Sequence, residues 1–127
     1  MGWWDKVRGR GADEPEVAVV LDLEQRRGQL MRLEQALDRL AREMRQVQSM
    51  DNPGWRERVN EYGRLAGDAG LARRGVPTRE GLLDLVFEVR PVFTGPPPPG
   101  LESLVPLQAA VLAAAEELRE LLPGERT

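Results

Sequence analysis

Six apolar residues, Leu30, Leu33, Leu37, Leu40, Met44 and Val47, follow one another in steps of three and four, which places them all on one side of an α-helix. The stripe is narrow, two positions per heptad, and suits pairing with a single neighbouring helix. It spans fewer than three heptads and so falls short of a sustained coiled coil. Residues 16–50 around it contain no proline and only one glycine, Gly28, among strong helix formers. They predict one helix of roughly 35 residues, about 50 Å long at about 1.5 Å per residue. Its first part differs from its second. Val17, Val19, Val20, Leu21 and Leu23 surround more than one face and require cover from more than one partner helix.

Asp51-Asn52-Pro53 reads as a stop and restart, because a residue before proline is pushed out of the α region and proline suits the first position of a helix. The next apolar set, Trp55, Val59, Tyr62, Ala66 and Ala69, steps again by fours and threes. A second helix over residues 53–74 then lies antiparallel along the first. Gly63, Gly67 and Gly70 weaken it or mark close approach to the first helix, and Gly75 with Val76-Pro77 provides an exit. At most about 22 residues and 33 Å long, this helix is too short to cover a 50 Å partner, so the end around residues 17–23 must meet the last helix or another subunit.

Thr78 can cap a short third helix over residues 79–90, with Leu82, Leu85, Val86 and Val89 on one face. A strand through residues 85–93 (LVFEVRPVF) is the rival, since alternation groups Phe87, Val89 and Phe93. Residues 91–100, with their PPPPG run, read as a stiff linker rather than a ligand for a proline-reading groove. A last helix over residues 104–122 carries Leu104, Leu107, Val111, Leu112, Ala115, Leu118, Leu121 and Leu122, an apolar surface broad enough to need several neighbours. The predicted fold is all-α: a long antiparallel helical hairpin with two further C-terminal helices, a bundle-like single domain over residues 16–127 behind a tail of residues 1–15.

Composition removes most chemistry. The 127 residues include no cysteine and no histidine. Without them the chain has no thiolate, no neutral-pH proton shuttle and none of the usual transition-metal ligands. Pairs such as Glu57 with Glu61, Asp84 with Glu88, and Glu116 with Glu120 share helix faces, but helical carboxylate sites for metals add histidine. They read as solvated surface, and no catalytic, cofactor or metal site is expected.

Net charge is −3, so no global positive field recruits nucleic acid or an anionic membrane. Only Lys6 among the basic residues is lysine, and isoleucine is absent. That is the codon bias of a GC-rich, bacterial type of genome, and it makes the many arginines weak evidence for phosphate binding. Arg56, Arg58, Arg64, Arg73 and Arg74 make residues 53–74 the most basic stretch, yet Glu57, Glu61 and Asp68 interrupt them. The apolar runs are too short to cross a bilayer and residues 1–11 lack a signal peptide's apolar core, so the expected compartment is the cytoplasm.

Two places are candidates for partner contact. Trp3 and Trp4, with Lys6, Arg8 and Arg10, carry the side chains that most often anchor interfaces. Val17, Val20, Leu21 and Leu23 are candidates for self-association. The expected function is a non-enzymatic interaction or assembly protein, a homodimer that also binds a further protein partner. The alternatives are a peripheral membrane adaptor docking through the Trp/basic segment and, third, a small nucleic-acid-binding regulator.

Overall fold

A computed structural model of the chain describes residues 20–125, and the architecture is all-α. Four α-helices pack together: α1 Leu23–Arg45, α2 Pro53–Arg74, α3 Arg79–Glu88 and α4 Val105–Arg119. No strand occurs among the described residues. Antiparallel α1 and α2 form a hairpin, α4 packs on the other side of α1, and α3 bridges α2 and α4.

The heptad seam is the core of this arrangement. Leu30, Leu33, Leu37, Leu40 and Met44 are buried against Trp55, Val59, Tyr62, Leu65, Ala66 and Ala69 of α2, together with Val111, Ala114, Ala115 and Leu118 of α4. Val47 lies past the end of α1 and is half-buried.

The first helix is shorter than residues 16–50. Residues 20–22 are not helical: Asp22 sits in extended backbone and caps α1, its carboxylate accepting the Gln25 N–H at 3.2 Å. The β-branched valines ahead of it favour extended chain, and the cap fixes the start. At the other end the helix stops at Arg45, and a 3₁₀ turn at Gln48–Met50 follows. There the Trp55 indole N–H donates to the Met44 carbonyl at 2.9 Å, satisfying a helix end that would otherwise need another turn. With 23 and 22 residues, α1 and α2 match in length, and among the described residues α1 has no long overhang of the kind expected from the sequence.

Asn52 caps α2, accepting the Trp55 N–H at 2.9 Å ahead of Pro53, and Thr78 caps α3, accepting the Gly81 N–H at 3.0 Å. α3 ends at Glu88, two residues before the expected limit, because Val89 turns to extended backbone ahead of Pro91. The Tyr62 hydroxyl donates to the Arg90 carbonyl, and Arg58 donates to that of Pro91 at 2.8 Å, so α2 holds the linker down. Residue Leu104 belongs to a 3₁₀ turn, Glu102–Leu104, and α4 stops at Arg119 rather than at residue 122.

Candidate interaction site at the start of α1

The antiparallel arrangement brings the start of α1 beside the ends of α2 and α4, where helix carbonyls lack intrahelical partners. Arginines fill that need. Arg26 is wholly buried and donates to the carbonyls of Glu117 at 3.3 Å, Leu118 at 3.2 Å and Glu120 at 2.6 Å. Arg79, at the start of α3, donates to the Arg119 carbonyl at 2.8 Å, which completes four consecutive carbonyls at the end of α4. Arg27 does the same for α2, donating to the carbonyls of Arg73 at 3.2 Å and Gly75 at 2.9 Å. Positive charge at the negative end of a helix is also favourable electrostatically.

The buried Arg26 is neutralised by Glu125. Its Nε and Nη2 reach the two carboxylate oxygens at 3.0 and 2.6 Å, and Nη1 reaches Gln29 Oε1 at 2.8 Å. Glu125 also accepts the backbone N–H of Asp22 at 2.8 Å and of Leu122 at 2.9 Å. Burial pushes the Glu125 carboxyl up. The hydrogen bonds from Arg26, Leu122 and Asp22, with the Arg26 charge, outweigh that and hold it at about 2, below its ordinary 4.5. The chain beyond α4 is thereby clamped to the residues that enter α1.

Next to this clamp an apolar groove of about 580 Å³ opens between residues 20–23 and the α2–α3 connection. Val20, Leu21 and Leu23 form one wall, and Val76 and Pro77 belong to the other. Val20 is 72% exposed and Val76 73%, while Leu21 and Leu23 are half-buried. Three of the four residues expected to mediate self-association therefore line one surface feature. Val17, the fourth, lies outside the described residues, as do Trp3, Trp4, Lys6, Arg8 and Arg10. On α3 the exposed Leu83 and Phe87, one turn apart, add apolar surface.

Three arginines of α2 are engaged in ion pairs, two of them on the open surface. Arg56 pairs with Asp51 at 2.6 Å, Arg64 with Asp68 and Glu88 at 2.9 and 2.7 Å, and Arg73 with Glu34 at 2.9 Å. Among the described residues no three acidic side chains come together to hold a metal ion, and no helix is long and apolar enough to cross a membrane.

Arg26, Arg27, Arg79 and Glu125 were not singled out by the sequence reading. One signal for Arg26 was present: continued backwards from Leu30 in steps of four and three, the seam passes through Arg26 and Leu23, which puts an arginine at a core position. Glu125, in a short run after Pro123-Gly124, carried none. The chain matches no family model, no curated protein and no solved structure.

Proposed function

We propose that this chain is a non-enzymatic assembly protein of the cytoplasm that self-associates through the end of the bundle where α1 begins. The observation that carries this reading is the groove with Val20 and Val76 on its walls: two large apolar side chains stay nearly three-quarters exposed beside an otherwise closed core. Adjacent exposed apolar residues are the usual mark of a contact surface. The groove, together with Leu83 and Phe87 on α3, takes the second copy. The segment with Trp3, Trp4, Lys6, Arg8 and Arg10 then serves a further protein partner.

Sedimentation equilibrium of the full chain and of Val76→Asp tests it. A concentration-dependent dimer that the substitution turns into a folded monomer is the expected result. A full chain that stays monomeric at high micromolar concentration contradicts it.

A further inference from the structure

Helix α3 turns two different faces to its surroundings. Leu82 and Leu85 are buried, while Glu80, Leu83, Asp84, Phe87 and Glu88, spaced by threes and fours, lie on the opposite side and are exposed. Phe87, at 83%, is the most exposed large apolar side chain among the described residues, and Leu83 sits one turn before it. Glu88 is paired with Arg64 at 2.7 Å, which leaves Glu80 and Asp84 as the acids of this face without an ion pair among the described residues. An aromatic and an aliphatic side chain set among carboxylates call for an occupant that is both apolar and basic.

This chain carries such a segment. Trp3 and Trp4 stand beside Lys6, Arg8 and Arg10, with Asp5 as the single acid among them. We propose that residues 3–10 dock on the outer face of α3 of the same chain, with the tryptophans on Leu83 and Phe87 and the basic side chains on Glu80 and Asp84. The length of the tether selects the chain's own segment over that of a second copy. Val20 lines the groove beside Arg79 and Glu80, so the described chain begins next to the first turn of α3. Phe87 lies seven residues past Glu80, about 10 Å along the helix. Residues 11–19 span up to about 30 Å, a bound that holds whatever course they take and that exceeds the distance required. A short tether holds its end at an effective concentration of about 1 mM, whereas a second copy's segment is present only at the concentration of the protein. A contact too weak to join two molecules is therefore made within one. The docking does not rest on the self-association reading, but it bears on it. Leu83 and Phe87 are then covered in the free chain, and a second copy reaches them only by displacing residues 3–10.

The absence of cysteine allows a single nitroxide label on Asp5→Cys in the full chain. In the isotope-labelled protein, the amide resonances of residues 80–88 are expected to broaden more than those of Glu24 and Gln25, which follow Val20 closely but lie off the α3 face. Leu83→Ala with Phe87→Ala, a pair of surface changes, should abolish this excess, and about 1 M salt should roughly halve it. Equal broadening at both places, or an excess that survives the alanine pair, overturns the docking. So does broadening of an isotope-labelled chain without nitroxide by an added spin-labelled one, which puts the segment on a second copy. Trp3→Ser with Trp4→Ser uncovers the face and should tighten the dimer several-fold in sedimentation equilibrium. A monomer in that experiment, with the excess at residues 80–88 intact in the spin-labelled chain, contradicts the self-association reading and upholds the docking.

Discussion

Glu125 holds Arg26 by two parallel hydrogen bonds of 3.0 and 2.6 Å, 99 residues apart in the chain and with both side chains within 1% of full burial. A buried pair of this kind is a strong constraint because neither charge tolerates losing the other. Its placement matters as much as its strength. Arg26 closes the carbonyl end of α4, Glu125 closes the entry to α1, and one wall of the groove is built on that entry.

Glu125→Ala is therefore expected to lower stability by about 3–5 kcal/mol, the usual cost of leaving one buried charge unpaired. Urea denaturation of the two proteins measures it. A loss below about 1 kcal/mol, typical of an exposed pair, would show that water reaches Arg26.

The same pair sets an acid dependence. The folded Glu125 carboxyl titrates at about 2 against an ordinary 4.5, so its stabilisation is fully present above about pH 4.5 and drains away as pH falls toward 2. A difference of that size corresponds to roughly 3 kcal/mol. Glu125→Gln does not titrate, so the stability gap between it and the unaltered chain should be constant near neutrality and close between pH 4.5 and 2. Denaturant midpoints followed across that range test the sign. A gap that stays constant to pH 2 would contradict it.

The hairpin and its core were legible in the sequence because both follow from local rules. The three-four steps from Leu30 to Met44 named the buried face of α1, and Asn52-Pro53 named the turn. The ends of α1 were harder to read. Propensity ran on through residues 16–22 and 46–50, while α1 starts after its own cap residue Asp22 and stops at Arg45, where an indole N–H from α2 takes the Met44 carbonyl. The contact at the far end comes from the next helix, and periodicity carries no trace of it. The clamp was hidden for a related reason. Arginine is common throughout this chain, and an arginine on the seam looks like surface charge until its partner, Glu125, is placed against it.

The seam itself gives a stability contrast. Leu37 and Leu40 are at most 1% exposed, whereas Arg39 is exposed and Arg42 meets only Asp38 on the open surface at 2.7 Å. Leu37→Ala or Leu40→Ala is expected to lose about 2–5 kcal/mol, through lost transfer energy and the cavity left behind. Arg39→Ala and Arg42→Ala should stay within about 0.5 kcal/mol. Chemical denaturation of the four variants decides it, and equal losses would misplace the seam.

Two glycines of α2 separate helix propensity from packing. Gly67 faces open space, and a Cβ there meets nothing within 4 Å, so Gly67→Ala should stabilise the chain by about 0.5–1 kcal/mol. Gly70 is buried against α1, and a Cβ there would lie 2.8 Å from Glu34 Oε2. The carboxylate would have to swing away and give up its contacts of 3.1 and 2.9 Å with Arg73, so the propensity gain is offset and Gly70→Ala should be near neutral. The cause can be isolated. On a Glu34→Ala background the closest obstacle is gone, leaving the flexible end of Arg74 at 3.2 Å, and Gly70→Ala should then become stabilising, approaching Gly67→Ala. Thermal or urea unfolding of the double-mutant cycle reads this directly. A Gly70→Ala effect that is the same on both backgrounds would show that Glu34 moves aside freely and that the close approach at Gly70 constrains nothing.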